Sequence, residues 1–241
     1  MPLDDKWTRI FPERTSTIEN LNTRLVSVLD KLKSQINPAG PPIIPKITFM
    51  LEQYIQLSLH RIYDLAEETC LAWNRETPSA AFLLCRAAIE NIAALYTLEL
   101  RLSELVNKRE LAEIYNTIVE RIFWSRSVDR LPRATSILTL IKKVDRDHTG
   151  FQNVYDTLSE FCHPNYSAML GVYGKPNKKK VSVDLDKAIG VNEKTFVLVF
   201  NALLPALNIL LTSLSKLESL YPDLSAMSDD DLKKQGIIID Q

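Results

Sequence analysis

The sequence predicts an all-α protein, a helical bundle around a central buried helix at about residues 78–106. Only 6 of the 241 residues are glycine and 46% are hydrophobic, a composition typical of mostly helical proteins. The second observation is that residues 80–98 are apolar on almost every side. A helix of that kind either spans a membrane or lies at the centre of a bundle. Arg86, Glu90 and Asn91 fall inside the run, which favours burial among other helices.

Charge and cysteine content narrow the functional classes. The net charge of −1 at pH 7 provides no overall field that would attract nucleic acid or anionic lipid. The three cysteines show no CxxC spacing, and residues 1–16 lack the apolar core of a secretion signal. We therefore expect reduced thiols in a cytoplasmic protein, with no membrane association. No Gly-rich phosphate loop, GxSxG or HExxH motif occurs, and the three histidines lie far apart, so we expect no cofactor and no metal site.

Residues 1–36 are predicted to form an irregular lead-in, over residues 1–13, followed by a helix. Apolar residues recur in that helix at spacings of 3 and 4 from Ile18 to Leu32, a narrow seam of the coiled-coil kind. Two interpretations stay open: the helix packs on its own domain, or the seam is the contact of a homodimer. Residues 37–45 hold four prolines and are expected to form a stiff, extended linker.

Residues 46–221 are predicted to form the bundle domain, and residues 222–241, with three consecutive aspartates, a peripheral acidic tail. A small β-hairpin is expected near residues 169–185. Helical periodicity in the remainder predicts helices at about residues 46–74, 109–124, 135–144, 151–162 and 192–220.

The last of these helices contains an apolar run, residues 196–214, that is long enough to span a membrane. Pro205 interrupts the run, and Asn201 and Asn208 lie seven residues apart on one face. We therefore expect a buried bundle helix that is kinked at Pro205.

The central helix carries one candidate polar site. Ser79, Arg86, Glu90 and Thr97 advance by 7, 4 and 7 residues and therefore share one narrow stripe. A charged pair inside an apolar helix needs polar partners, because unpaired burial is costly. Either the Arg86–Glu90 pair ties neighbouring helices together, or the stripe faces a pocket.

His163 and Asn165 are the predicted partners of that pair. Pro164 disfavours helical geometry at the residue before it, so His163 should occupy the C-terminus of the helix at residues 151–162. We expect His163 or Asn165 to lie within hydrogen-bond or one-water reach of the Arg86–Glu90 pair.

Two short basic segments are candidate contacts to a nucleic-acid backbone. Most such clusters are only solvated surface, and the net charge is −1, so we expect weak, salt-sensitive binding of RNA or nucleotide at most. The residues are Arg126, Arg130 and Arg133 in a loop beside Trp124, and Lys178, Lys179 and Lys180 in a turn.

The segment SEFCHPNY, residues 159–166, lies downstream of an apolar helix that contains RAAIEN. Together they resemble a loose group of uncharacterised bacterial helical proteins with a helix ending in His-Pro and an Arg…Glu pair on a central helix. That group is similar to the HEPN superfamily, whose helical bundles include ribonuclease toxins, antiphage effectors and nucleotide-binding modules. The resemblance covers roughly residues 46–220. Catalytic members carry an Arg separated by four to six intervening residues from a His, but the corresponding positions upstream of His163 are Asp156, Thr157 and Leu158, so the motif for RNA cleavage is absent.

Two functions remain in view. The first is a non-catalytic helical module that binds a partner, including a second copy of itself. The second, implied by the resemblance, is a HEPN-like ribonuclease or nucleotide-acting defence effector. In that enzyme His163 would act as general acid and base, Arg86 would stabilise phosphate charge, and Glu90 would orient one of them.

Overall fold

The computed structural model describes residues 2–37, 46–125, 128, 130–177 and 179–235. It confirms the predicted fold class: the described chain is an all-α bundle with one two-stranded antiparallel sheet. The helices are α1 Lys6–Ile10, α2 Thr15–Leu29, α3 Lys46–Asn74, α4 Pro78–Asn107, α5 Leu111–Ile122, α6 Ile137–Asp147, α7 Phe151–Cys162, α8 Tyr166–Tyr173, α9 Glu193–Ser219 and α10 Tyr221–Lys234. The strands are β1 Gly174–Asn177 and β2 Ser182–Leu185, and 3-10 turns occur at Pro12–Arg14 and Lys187–Gly190.

Helix α4 is the centre of the bundle. It begins at Pro78, where proline fits the first helical position, although the Thr77 hydroxyl bonds to the carbonyl of Ala72 instead of capping the helix. It packs against α3, α9, α7, α6 and α5. Fully buried side chains such as Phe82 and Leu98 occur along its length. The all-round apolar pattern thus corresponds to a helix that has neighbours on most sides.

The N-terminal segment packs on the bundle. A short helix, α1, occurs where an irregular lead-in was expected, and its Trp7 is buried against Trp73 of α3, with ring centroids 5.9 Å apart. The seam of α2 faces α9 and α3, and its members from Ile18 to Val28 are at most 1% exposed. The structure therefore agrees with the first interpretation of the seam, in which the helix packs on its own domain. The homodimer stays a prediction, but this seam is not a free surface for it. Residues 38–45 of the predicted linker lie outside the described residues.

The predicted hairpin is present, with β1 and β2 paired in the register Gly174 to Leu185 and Asn177 to Ser182. Its first strand is shorter than expected, because residues 166–173 form α8 instead. Asn165 explains this local choice, since its side-chain oxygen accepts a bond of 3.0 Å from the amide of Ala168 and so caps α8.

Helices α9 and α10 form the C-terminal part of the described chain. Asn192 and Thr195 form a capping box at the start of α9, which continues through Pro205. Residues 221–234 form α10, with Leu224 and Met227 buried, where the sequence indicated a peripheral tail. Residues 236–241 lie outside the described residues.

Among the described residues, two helical stretches are long and apolar enough to cross a membrane by length and composition alone, Pro78–Asn107 and Glu193–Lys234. Of the 18 residues that form the apolar part of each stretch, 61% and 56%, respectively, are buried inside the fold. Burial of this kind is what a central helix of a bundle shows.

Candidate functional site

The tyrosine of α7, Tyr155, joins the two charged residues of the polar stripe. Arg86 donates from Nε and Nη2 to the Tyr155 hydroxyl at 3.3 and 3.0 Å. The same hydroxyl donates to Glu90 Oε1 at 2.8 Å, and Arg86 Nε lies 3.2 Å from that oxygen. One hydroxyl therefore accepts from the cation and donates to the anion, which closes a triad between α4 and α7.

The sequence suggested that this charged pair is deeply buried, but the triad is only half-buried. The side chains of Arg86 and Glu90 are 27% and 29% exposed. Burial raises the pKa of Tyr155, and the bond to Glu90 adds to this, while Arg86 opposes it. Partial burial works against the charge of Arg86, but Tyr155, Glu90 and Cys162 outweigh it and raise the pKa of Arg86. Tyr155 therefore stays protonated and Arg86 stays charged at neutral pH.

The ends of the stripe also have partners on other helices. Tyr173, the last residue of α8, donates to Ser79 Oγ at 2.6 Å. Thr97 donates to the carbonyl of Ala93 at 2.9 Å and accepts from Arg121 of α5 at 3.3 Å. The stripe is thus a polar seam that ties α4 to α8, α7 and α5.

Within the described residues, neither His163 nor Asn165 makes a direct hydrogen bond to the Arg86–Glu90 pair, so of the predicted hydrogen-bond or one-water reach only the second stays a prediction. His163 is exposed, and its backbone is extended, as the following proline favours. The side chain of Asn165 instead caps α8 through its oxygen and donates from its amide to Glu160 at 2.7 Å. At Cys162, next to His163 in sequence, burial raises the pKa of the thiol, and the positive charge of Arg86 opposes the increase.

The basic segments lie on the surface where they are described. Arg130, Arg133, Lys179 and Lys180 are exposed, and the carbonyl of Arg133 accepts a bond of 2.8 Å from the indole of Trp124. Arg126 and Lys178 lie outside the described residues.

A second polar cluster, which the sequence analysis missed, lies where α4, the end of α6 and α9 meet. Tyr96 donates to Asp147 Oδ2 at 2.6 Å, and the His148 ring meets the Tyr96 ring edge-on with centroids 5.3 Å apart. Burial and the bond to Asp147 raise the pKa of Tyr96. Glu99, one helical turn further along, has a side chain only 3% exposed, with Lys216 Nζ at 3.7 Å.

His148 lies between two neighbouring cavities. One of about 390 Å³ is lined by Tyr96, Asp147 and Lys216. The other, of about 510 Å³, runs along the outer face of α9 past Asn201. An imidazole, a carboxylate and amide groups around a groove can hydrogen-bond a small polar ligand. The part of the chain that the structure describes contains no group of three or more metal-ligating side chains. The spacing of Asn201 and Asn208 was the only sequence signal, because Asp147 and His148 come from a distant part of the chain.

Replacing Tyr155 by Phe is expected to destabilise the fold by about 1–3 kcal/mol, the range from a typical hydrogen bond to one with a charged group. The change removes the hydroxyl that both Arg86 and Glu90 use and keeps the buried ring. Urea unfolding followed by circular dichroism measures it. Tyr166→Phe is the matched control, since Tyr166 is 74% exposed. Equal stability of the two variants would contradict the triad's structural role.

Comparison with known proteins adds no relative: no protein-family model, no curated protein and no solved structure matches the chain.

Proposed function

We propose that this chain is a non-catalytic, HEPN-like helical module that acts by binding a partner, including a second copy of itself. The observation that carries the proposal is the triad. The Tyr155 hydroxyl engages both Arg86 and Glu90, the two residues that an enzyme would need free for phosphate and for orientation of the base. His163, the third residue of that enzyme, stands exposed and hydrogen-bonds to neither of them in the described chain.

Exposed apolar residues supply the binding surface that a module requires. On α8, Tyr166 and Met169 are 74% and 59% exposed, and they lie three residues apart on one side of the helix. The hairpin that follows directly exposes Leu185 to 78%. Large apolar side chains exposed in this way are candidates for an interaction site. The proposed place of action is the cytoplasm, as the reduced thiols indicate.

Sedimentation velocity on the full chain at micromolar concentration, together with an RNA cleavage assay, tests the proposal. We expect self-association and no cleavage, both unchanged in His163→Ala, because an exposed side chain without partners contributes little to the fold. If the chain stays monomeric and cleaves RNA, and His163→Ala abolishes the cleavage, the protein is the HEPN-like enzyme and not the binding module.

A further inference from the structure

The outer edge of β2 offers free backbone groups to another strand. The amide of Asp186 donates to the carbonyl of Tyr173 at 3.0 Å, which sets the alternation of the ladder. In an antiparallel pair every second residue directs its N–H and C=O groups away from the partner strand. With Asp184 opposite Lys175 and Val183 opposite Pro176, the outward groups on β2 belong to Val183 and Leu185.

The outer edge of β1 is blocked, and that of β2 is not. Pro176 has no N–H, and its register opposite Val183 places this missing donor on the outer side. Prolines and lysines are the usual means of protecting an edge strand. β2, with sequence SVDL, carries neither of them. Since an isolated two-stranded hairpin is only marginally stable in water, an added strand at β2 would also stabilise it.

The side chains of β2 alternate between apolar and polar. Val183 and Leu185 share one face and are 48% and 78% exposed, while Ser182 and Asp184 share the other. A partner strand should therefore present the same alternation, apolar on one face and polar on the other.

A second copy of β2 meets this requirement in one register. Antiparallel pairing centred on Val183 places Val183 against its copy and Ser182 against Asp184 of the second copy. Two other registers also overlap most of the strand. One of them pairs the apolar Val183 with the polar Asp184 and so breaks the alternation. The remaining one sets Asp184 against Asp184, and like charges directly opposite each other are destabilising.

Charge complementarity favours the same register. In antiparallel pairing about Val183, the turn of one copy, with Lys179 and Lys180, runs beside Asp186 of the second copy. These three side chains are exposed. The two-fold axis repeats the arrangement at the other end of the pair.

We propose that two copies of this chain associate by antiparallel pairing of their β2 edges, with Val183 at the two-fold axis. The inference rests on the proposed function in one respect, the ability to self-associate, and it names the surface that does so. At the axis the two Val183 residues exchange both backbone hydrogen bonds, and the Val183 and Leu185 faces form one continuous apolar strip across both hairpins.

Cysteine cross-linking tests the register. In Val183→Cys the two sulfurs face each other, because Cα atoms in such a pair lie about 5.5 Å apart, within the range of about 4.4–6.8 Å for a disulfide. We expect a disulfide-linked dimer after mild oxidation of the full chain. Val181→Cys is the matched control: Val181 is more exposed, at 94%, but its two copies would be offset by about 13 Å along the strand direction. If the cross-links came from random collisions, the more exposed Val181→Cys would form more disulfide-linked dimer than Val183→Cys. That outcome would overturn the proposed register.

A charge pair tests the axis itself. Val183→Lys and Val183→Asp each place like charges opposite one another, so each should weaken self-association about tenfold or more, and an equimolar mixture should restore it. Sedimentation velocity measures both effects. If the original chain associates and both variants associate equally well, the β2 inference is wrong while the proposed function stands. If the original chain remains monomeric at micromolar concentration, self-association itself fails.

Discussion

A chain that begins at Lys46 is expected to lose cooperative folding. Residues 1–45 contribute several apolar side chains that are at most 1% exposed, and fully burying one such side chain is worth about 1.5–3 kcal/mol. These side chains are Leu3, Trp7, Ile18, Leu21, Leu25 and Val28. Their combined contribution, on the order of 10 kcal/mol, is comparable with the whole stability of a typical domain, about 5–15 kcal/mol. Deletion also uncovers the aromatic cluster in which Trp73 meets Phe196 and Phe200 edge-on.

Guanidinium unfolding followed by tryptophan fluorescence and circular dichroism measures this effect. Val26→Ala in the full chain is the control, because Val26 belongs to the same N-terminal segment but is 48% exposed, and we expect its unfolding to match that of the original chain. The expected result for the shortened chain is a broad transition, or none, with exposed apolar surface detected by dye binding. A sharp transition at the original midpoint would mean that residues 1–45 form a separate unit.

Glu99→Gln is expected to stabilise the protein at neutral pH by about 1–2 kcal/mol, the scale of an incompletely compensated buried polar group. Burial raises the pKa of Glu99, although Lys216 and Ser103 oppose it. Its Oε2 atom makes no hydrogen bond within the described residues. The ionised carboxylate therefore costs free energy that a neutral amide does not.

The pH dependence distinguishes this explanation from a packing effect. An acid whose pKa is raised in the folded state makes its full contribution below the unfolded value of 4.5, and it loses this contribution as the pH rises through the folded pKa. The advantage of Glu99→Gln over the original chain should thus be absent near pH 4 and grow towards pH 7.

Thermal unfolding of both chains from pH 4 to pH 8 measures this difference. Comparison of the pair at each pH removes the opposite contribution of Glu52. Burial works to raise the pKa of Glu52, but hydrogen bonds from Lys33 and Tyr221 outweigh it and lower that pKa. If Glu99→Gln is the less stable chain throughout, the ion pair with Lys216 outweighs burial.

Local sequence determined the positions of the main helices. The expected starts at residues 46 and 78 and the end at residue 162 agree with α3, α4 and α7, because apolar periodicity, Pro78 and Pro164 act within a few residues. The hairpin was predicted, but its first strand was placed too early. Apolar residues 169–173 are compatible with either structure, and the Asn165 cap decided for helix.

Tertiary structure alone decided what the polar residues contact. The sequence identified Arg86 and Glu90 as a pair in need of a partner and proposed His163, whereas Tyr155 forms the bonds. By periodicity alone Tyr155 belongs to the apolar face of α7, but a tyrosine combines an apolar ring with a polar hydroxyl. Whether the ring or the hydroxyl of Tyr155 determines its role depends on which residues lie opposite it in the fold.

The same limit applies to the seam of α2, to the cluster around His148 and to the edge of β2. Periodicity showed that Ile18 to Val28 form an apolar stripe, but the stripe is equally suited to a second chain and to α9. Asp147, Glu99 and Lys216 belong to three helices, and their approach depends on how those helices pack. Sequence by itself determined the positions of the long helices and which of their faces are apolar, since these follow from neighbours along the chain. Only the tertiary structure decided which faces meet and which stay exposed, because residues far apart in sequence compete for the same contacts.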